Sequence, residues 1–458
     1  MAASFSFLPC PCCPPASVGR LRSDWERLCR DIGERRAGTP GEAQAAQYIA
    51  HRFSEERLNV RIESVPCRSL VGDESSVMVR IGRKWCSCEA HGFVGSPRTP
   101  GNEPVEGEIV WLEYPESAHR LGPNSLRHKI VVLFGPLPTS VRLYRQLVAA
   151  RPAAILQVDD RVPFHWPIGD AYYPHWVKMY GAPPKVSIPY QSAWKWRIAG
   201  AARARVMVAT RHRAAFSENV IATLPGADSA AASLFLAAHH DTQPFNTGAD
   251  DNASGVICLL ELARLLVQCS RRLRTIHFGS FGAEEQLSVG AAHFVRRHRW
   301  ELNGIGLVVN FDGLSSPLGH NLLLHSGHPG LAGSFQAALR RGGHDAVIGN
   351  EISPFGDHFP FTVYGVPAIC LCRSNMLGGY RWQHHSLRDS LANVSTEPVR
   401  ILIDAIAPPI LGLARARSLP FARKSFAGAL AQTVDFARTL LGLRVPRIGR
   451  PRSGQRRT

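Results

Sequence analysis

Histidine and carboxylate side chains follow an apolar stretch near the middle of the chain. The apolar residues 234–238 end at His239, His240 and Asp241, and turn-forming residues then lead to Asp251. Open α/β sheets place ligand sites where their strands end, and imidazole with carboxylate is a donor set that zinc takes in proteins. This stretch therefore predicts part of a metal site, and the remaining ligands must come from elsewhere in the chain.

Further candidate ligands follow later apolar segments. Glu284 and Glu285 come after one predicted strand, Asp312 ends the next, and His384 and His385 lie in a loop before the closing helix. Each feature alone is common, because acidic residues often cap helices or lie on solvated faces. Their occurrence at successive strand ends predicts one site of oxygen and nitrogen donors that suits zinc.

Strand and helix patterns alternate from residue 217 onward. This alternation predicts an α/β fold with a mixed, mostly parallel sheet and helices on both faces. The predicted strands are 219–224, 233–238, 275–281, 305–311 and 366–371, and the predicted helices are 256–267, 288–298, 331–341 and 397–415. Two more helices are predicted nearer the start of the chain, at 21–34 and 41–57.

The segment 97–210 has a different pattern. Short apolar strands joined by Pro and Gly turns surround one predicted helix at 140–150, which indicates an inserted, mostly β domain. Within it, residues 164–180 are dense in aromatic side chains. Such a segment favours packing or an ordered loop, with a lid or a substrate contact as the alternative.

The motifs AHHDT, GADDNASG, FGAEEQ, VNFDG and HHSLRDS occur in this order. Together they resemble the co-catalytic di-zinc peptidases, the family of the bacterial leucyl-type aminopeptidases, aminopeptidase Y and glutamate carboxypeptidase. The resemblance implies the zinc-exopeptidase, phosphorylase/hydrolase-like form of the α/β fold. The insertion resembles the protease-associated domain, which is common in that family. The predicted parts are an irregular leader at 1–20, a zinc peptidase domain at 21–95 and 215–416, a protease-associated-like inserted domain at 97–210 and a basic tail at 417–458.

The resemblance implies a ligand role for five residues and two Zn²⁺ ions as cofactors. His239 and Asp312 would bind one zinc ion, His385 and Glu285 would bind the other, and Asp251 would bridge both. The carboxylates would offset most of the charge of the two ions.

Family spacing decides between neighbouring histidines. In the first motif the ligand lies two residues before an Asp, so that Asp241 selects His239 and leaves His240 beside the site. In the second motif the ligand lies four residues before an Asp, and Asp389 therefore selects His385 over the histidine that precedes it.

The resemblance also implies catalytic and pocket residues. Glu284 would be the general base, and Asp241 would orient the first histidine ligand from behind. Asp357 and His358 belong to a GDHFPF stretch that is similar to a family motif with Ser in place of Gly, and they are predicted near the pocket, with an Asp-capped turn as the alternative. The peptide bond after Asp251 tends to be cis in the family.

Amide hydrolysis gives these residues a chemical purpose. The reaction needs a nucleophilic hydroxide, a polarised carbonyl and a proton for the leaving amine. Two zinc ions a few ångströms apart hold a hydroxide between them and lower the pKa of its parent water from about 15.7 toward ~7. Glu284 would take the proton of the water and return it to the leaving nitrogen.

The predicted function is that of a zinc-dependent exopeptidase acting on peptides or amino-acid derivatives, and specifically an aminopeptidase. A carboxypeptidase or dipeptidase of the same family is the first alternative, and it would need an inward-pointing arginine such as Arg373, Arg381 or Arg388 to hold a substrate carboxylate. A glutaminyl cyclase-like transferase, usually with one zinc, and a non-catalytic receptor-like relative are the others. The complete ligand set argues against the last.

Composition limits the partners. The net charge is +17, but residues 415–458 carry +10 of it, which is typical of a solvated tail rather than of a specific nucleic-acid interface. No apolar run approaches the ~20 residues of a membrane span. The eleven cysteines are an odd number, and the first residues lack a signal-peptide pattern, so a cytoplasmic location is favoured and secretion stays open. The oligomeric state is left open.

Overall fold

The computed structural model describes residues 14–113, 120–135, 140–161, 164–269, 271–326, 328–350, 355–376, 381–421 and 440–442. Its α-helices are α1 (Val18–Glu26), α2 (Pro40–Glu55), α3 (Val141–Ala150), α4 (Pro174–Tyr180), α5 (Tyr190–Ile198), α6 (Ser254–Gln268), α7 (Val289–Arg297), α8 (Pro329–Arg341), α9 (His358–Val363) and α10 (Thr396–Arg415). Its β-strands are β1 (Asn59–Asp73), β2 (Ser76–Ile81), β3 (Lys84–Cys88), β4 (His91–Gly92), β5 (Val105–Leu112), β6 (Lys129–Phe134), β7 (Ala154–Val158), β8 (Lys185–Ile188), β9 (Arg203–Met207), β10 (Thr210–Leu224), β11 (Ser233–His239), β12 (Ile276–Phe281), β13 (Ile305–Asp312), β14 (His320–His325), β15 (Ala346–Asn350) and β16 (Ala368–Ser374).

The two predicted end segments lie largely outside the described residues. Residues 1–13 of the leader and residues 422–439 and 443–458 of the basic tail are not among them. Helix α1 begins inside the predicted leader, because Ser17 caps its first turn by accepting the backbone N–H of Arg20.

Eight strands form the main sheet in the order β1-β10-β12-β11-β13-β16-β14-β15. The central strands β12, β11, β13 and β16 are parallel neighbours. By contrast, β1 with β10, β10 with β12, and β14 with β16 pair antiparallel. β14 and β15 are again parallel, so four of the seven pairs among the described strands of this sheet are parallel. The predicted mixed, mostly parallel sheet is therefore confirmed.

Helices cover both faces of the main sheet, as the alternation predicts. In β11, Leu234 and Leu236 pack with α1, α2, α6, α8 and α10 on one face. Phe235 and Ala237 of the same strand pack with α7 and α9 on the other face. Because both faces are covered, β11 is buried along its whole length and is a continuous apolar run in the sequence.

Helix α6 fixes the turn that carries Asp251. The helix is apolar on nearly all sides, so it is held firmly between the sheet and its neighbouring helices. At its first residue, the Ser254 hydroxyl donates to the backbone carbonyl of Asp250 at 2.6 Å. The turn before α6 is therefore tied to a rigid element.

A second sheet runs in the order β3-β2-β9-β5-β6-β7-β8-β4, with β5 to β8 parallel. Val131 and Leu133 of β6 pack with α3, and Ile130 and Val132 pack in the core that includes α5. The sequence predicts α3 but not α4 or α5. The described part of the insertion thus forms a layered sheet with three α-helices, where the sequence predicts a mostly β domain with one.

The second sheet includes strands that lie before the predicted start of the insertion at residue 97. Strand β2 pairs with β9, about 125 residues further along the chain, and β3 pairs with β2. A local strand pattern cannot show which sheet a strand joins, because the partner is distant in sequence. Strands of this sheet accordingly begin at Ser76, and the domain boundaries remain predictions.

Two further observations concern the described ranges only. None of the described helices has the length and apolar character to cross a membrane. The eight cysteines within these ranges are free thiols, whereas Cys10, Cys12 and Cys13 fall outside them.

Candidate metal centre

The five predicted ligands meet at the carboxyl ends of the main-sheet strands. His239 and Asp312 are the last residues of β11 and β13, and Glu285 follows β12. Asp251 lies in the turn before α6, and His385 lies in the loop between β16 and α10. Neighbouring parallel strands bring their carboxyl ends to one edge of a sheet, which explains the convergence of residues up to 146 positions apart.

His239, Asp251 and Asp312 form the first group of candidate ligands, here called the His239 group. His239 Nε2 lies 3.1 Å from Asp251 Oδ1 and 3.9 Å from Asp312 Oδ2. The same nitrogen lies 3.9 Å from Glu284 Oε2. The imidazole of His239 is buried, so its contacts are made within the protein.

His385, Glu285 and Asp251 form the second group, here called the His385 group. His385 Nε2 lies 2.9 Å from Glu285 Oε2 and 3.8 Å from Asp251 Oδ2. Asp251 therefore turns one oxygen toward each group, which is the arrangement that a bridging carboxylate requires.

The donor chemistry of both groups fits zinc. One set of closely spaced donors crosses the two groups: those of His239, Asp251 and Glu285 lie within 4.8 Å of one another. Those of Asp251, His384 and His385 do so as well, whereas Asp312 belongs to neither set. Tetrahedral zinc sites combine imidazole nitrogen at about 2.0–2.1 Å with carboxylate oxygen at about 2.0–2.2 Å, so their ligand atoms lie a few ångströms apart.

The electrostatics of the site also favour a bound cation. Burial, followed by the effect of nearby carboxylates such as Glu285 and Asp312, raises the pKa of Glu284 well above its ordinary value. Burial and the Asp251 carboxylate raise the pKa of Glu285 in the same direction. A dication among these groups would offset their mutual repulsion.

Asp241 supports both the histidine and the glutamates. Its carboxylate accepts the backbone N–H groups of Glu284 at 2.9 Å and Glu285 at 3.2 Å. Its Oδ1 also lies 3.6 Å from His239 Nδ1. One buried carboxylate thus connects the end of β11 to the loop after β12. The sequence predicts only its contact with His239, whereas the structure adds the contacts with the two glutamates.

Two residues that the sequence reasoning did not assign to the site hold the Asp251 turn. The Asp389 carboxylate accepts the backbone N–H groups of Asp250 at 2.6 Å and Asp251 at 3.0 Å. The Asp250 carboxylate accepts from the N–H and the hydroxyl of Ser315 at 2.8 and 2.6 Å. The peptide bond between Asp251 and Asn252 is cis, as the resemblance implies.

A buried arginine holds the loop after His239. The Arg35 guanidinium donates to the carbonyls of His240, Leu28, Gly33, Thr247 and Gly248 at 2.7–3.1 Å. Its side chain has no solvent exposure. Nothing local in the sequence distinguishes Arg35 from its neighbour Arg36, because its acceptors come from distant parts of the chain.

Replacing Arg35 by methionine is expected to lower the free energy of unfolding by about 3–5 kcal/mol, because several buried carbonyls lose their donor. Denaturation in urea measures this change. Arg36→Met is the matched control, since Arg36 is partly exposed and pairs with Glu34 at 2.9 Å, and its loss should cost less than about 1 kcal/mol. Equal effects of the two substitutions would contradict the assigned role of Arg35.

The two neighbouring histidines that spacing set aside behave differently. His240 Nδ1 lies 2.9 Å from the Ser280 hydroxyl, and burial lowers the pKa of this imidazole to about 4. His384 Nδ1, in contrast, lies 2.8 Å from Asp251 Oδ2, and its ring stacks on that of His385 with centroids 3.6 Å apart. His384 is therefore part of the centre, and the preference for His385 as ligand stays a prediction.

One of the three arginines whose direction the sequence left open points into the centre. Arg381 Nη2 lies 2.9 Å from Asp251 Oδ2. Arg373 instead donates to the carbonyl of Ser316 at 2.6 Å, and Arg388 lies over the ring of Trp166 at 5.1 Å.

Asp357 and His358 lie buried at the start of α9. Within the described residues, the two carboxylate oxygens of Asp357 have no hydrogen-bond partner, and the same holds for the Nδ1 of His358. Burial, followed by the charge of Glu284, raises the pKa of Asp357 well above its ordinary value. The place of both residues in the pocket stays a prediction.

The aromatic segment 164–180 reaches the centre through its backbone. The N–H of Gly169 donates to the carbonyl of His385 at 2.7 Å, and a side chain at Gly169 would meet the carbonyl of Pro244 at 2.9 Å. Trp166 lies edge-on to Trp382 at 6.5 Å. The aromatic side chains further along this segment are buried in a separate cluster, so packing accounts for most of them: Tyr172, Tyr173 and Trp176.

The fold and the buried histidine and carboxylate groups are those of a metallopeptidase domain. Residues 219–408 match the model of peptidase family M28, and the chain therefore carries a domain of that family. The resemblance drawn from the five motifs is confirmed.

Curated relatives agree with this assignment. The chain is similar to leupeptin-inactivating enzyme 1 of Streptomyces exfoliatus, with 28% identity over 44% of this chain and 50% of that protein. It is also similar to the probable lipoprotein aminopeptidase LpqL of Mycobacterium tuberculosis, with 27% identity over 73% of this chain and 69% of that protein. Carboxypeptidase Q of Xenopus laevis is similar with 24% identity over 79% of this chain and 78% of that protein. The match spans only half the length of the first of these relatives.

Solved structures share the fold. A peptidase M28 precursor from Shewanella amazonensis superposes with a TM-score of 0.74 at 19% identity, covering 90% of this chain and 96% of that one. A zinc aminopeptidase from Bacillus subtilis superposes with a TM-score of 0.67 at 20% identity, covering 89% and 97%. At these identities the likeness concerns the fold.

Proposed function

We propose that this protein is a zinc-dependent exopeptidase, specifically an aminopeptidase that releases N-terminal residues and uses two zinc ions. One observation carries the proposal: the two carboxylate oxygens of Asp251 face the His239 group and the His385 group, with Glu284 beside His239. The names of LpqL and of the zinc aminopeptidase from Bacillus subtilis support the aminopeptidase assignment.

The proposed ligands of one ion are His239, Asp251 and Asp312, and those of the other are His385, Glu285 and Asp251. When bound, such ions polarise the scissile carbonyl and lower the pKa of a water molecule. Asp241 keeps the ligand geometry through the N–H groups that it accepts from the loop after β12.

Glu284 is the proposed proton carrier. Its Oε2 faces His239 Nε2 at 3.9 Å, and its Oε1 accepts the Ser288 hydroxyl at 3.1 Å, which restrains the side chain. Burial raises the pKa of this carboxyl group. A general base and acid needs a pKa close to the working pH, so this environment suits a group that takes a proton from the attacking water and delivers it to the leaving amine.

A carboxypeptidase is the second candidate, because carboxypeptidase Q is similar over 79% of this chain. Such an enzyme needs a cation for the terminal carboxylate of its substrate. Arg381 is the inward-pointing candidate, yet its guanidinium already contacts Asp251 and Asp312. This pairing favours the aminopeptidase.

A substrate panel tests the proposal. Aminoacyl-anilides with a free amine should be hydrolysed, and N-blocked peptides should not. Release of C-terminal residues from N-blocked peptides would assign the carboxypeptidase instead, and zinc-loaded protein that hydrolyses neither class would contradict both.

Metal analysis should find about two zinc ions per chain, whereas a single ion would favour the cyclase-like alternative.

A further inference from the structure

A guanidinium lies inside the carboxylate cluster of the candidate metal centre. Arg381 Nη2 is 2.9 Å from Asp251 Oδ2, and its Nη1 is 3.4 Å from Asp312 Oδ1. Its Nε is 3.8 Å from Asp250 Oδ2. The side chain is only 12% exposed, and an arginine keeps its charge in such surroundings. The centre therefore contains a fixed positive charge of its own.

The two oxygens of Asp251 are used unequally. Oδ1 faces His239 Nε2 at 3.1 Å. Oδ2 lies 2.9 Å from Arg381 Nη2 and 2.8 Å from His384 Nδ1, and 3.8 Å from His385 Nε2. Arg381 Nη2 donates to Oδ2 and also lies 3.0 Å from His384 Nδ1. A guanidinium can only donate, so Oδ2 shares its charge with Arg381, whereas Oδ1 faces His239 and keeps a lone pair for a metal.

Asp312 shows the same asymmetry. The Arg381 guanidinium contacts Oδ1 of this carboxylate, whereas Oδ2 faces His239 of the His239 group. Arg381 positions the ligands of the His239 group but competes for a ligand atom of the His385 group.

The backbone next to Asp312 leaves room for this guanidinium. A Cβ built on Gly313 would fall 1.1 Å from Arg381 Nη1. Gly313 also has a φ of +61°, a conformation that side-chain-bearing residues rarely adopt. Any other residue at this position would displace Arg381 from the carboxylates.

We propose that Arg381 makes the two metal positions unequal in affinity. The position at the His239 group binds zinc first, and the position at the His385 group binds more weakly because its ion must share Asp251 Oδ2 with a fixed positive charge. This inference rests on the proposed function only in requiring that zinc binds at both groups. Changes in residues next to metal ligands alter the metal affinity of a site by about 10- to 100-fold, so we expect the Kd values of the two positions to differ by a factor of this size.

Titration of the metal-free, full-length protein with zinc against a competing chelator tests the proposal. Wild-type protein should show two binding steps whose Kd values differ by about tenfold or more. Arg381→Met should reduce the ratio of the two Kd values by about tenfold. Arg388→Met is the matched control, because Arg388 belongs to the same loop but lies over Trp166, and it should leave both steps unchanged. Gly313→Ala displaces the guanidinium without removing its charge and should also narrow the separation.

Equal zinc affinities of the two positions in the wild-type protein would overturn the inference. A ratio of the two Kd values that is unchanged or larger in Arg381→Met would overturn it as well. If circular dichroism shows that Arg381→Met does not fold, the titration of Gly313→Ala decides by the same criterion. A zinc-saturated wild-type protein that hydrolyses no peptide would count against the proposed function alone, because the binding steps are measured without substrate.

Discussion

Glu284→Gln should lower kcat by about 10²- to 10⁴-fold while zinc binding is retained, because glutamine cannot accept the proton of the attacking water. The glutamine keeps the size of the side chain, and its amide oxygen can still accept from Ser288, which bonds Glu284 Oε1 at 3.1 Å. Steady-state kinetics on an aminoacyl-anilide, together with metal analysis of the same sample, measure both quantities.

Glu301→Gln is the matched control for Glu284→Gln. Glu301 has a 70% exposed side chain, contacts His298 at 3.0 Å and lies away from the candidate ligands, so its substitution should leave kcat unchanged. Wild-type turnover by Glu284→Gln with zinc still bound would remove Glu284 from the mechanism. Loss of zinc in this variant would instead make Glu284 a ligand.

Removal of the metal by dialysis against a chelator should abolish hydrolysis, with a loss of at least about 10³-fold, since metal ions supply several kcal/mol of transition-state stabilisation. The metal-free protein should also melt at a lower temperature. The carboxylates of Glu284, Glu285 and Asp312 share a buried space, and without cations their repulsion opposes folding.

Readdition of zinc should restore both activity and melting temperature, and the increase in stability should grow with zinc concentration, by about 2.7 kcal/mol at 100 times the Kd. Magnesium is the control ion, because it prefers octahedral oxygen sites and should restore neither. Full activity of the chelated protein would contradict a metal-dependent mechanism.

The sequence predicts the central part of the fold well. The run that ends at His239 and the helix after Asp251 have patterns that buried strands and helices impose, so β11 and α6 are predicted close to their observed bounds. The strands β14 and β15 and the helices α4 and α5 are missed. β14 and β15 lie at one end of the main sheet, and several of their residues are exposed or half-buried. Their sequences therefore lack the continuous apolar run of the covered central strands.

Residues whose role depends on distant partners are beyond sequence reasoning. Arg35 finds its acceptors up to 213 positions away, and Arg381 contacts Asp251 from 130 positions further along the chain. Neither belongs to a motif that distinguishes it from the many other arginines. In the sequence, Asp389 only marks the spacing to His385, yet its carboxylate accepts the backbone N–H groups of Asp250 and Asp251 and so holds the Asp251 turn.

By itself, the sequence determined the class of protein through the resemblance of its five motifs. It also determined the chemistry of the donors, because histidines and carboxylates lie at strand and loop ends that a parallel sheet must bring to one edge. Only the tertiary structure decided which atoms meet. It turns the two oxygens of Asp251 to different groups, and it brings His384 and Arg381 onto one of these oxygens. Spacing along the chain gives the order of the donors. Lone pairs and charges, however, act over a few ångströms, and distances of that size between residues far apart in sequence are set only by the folded backbone.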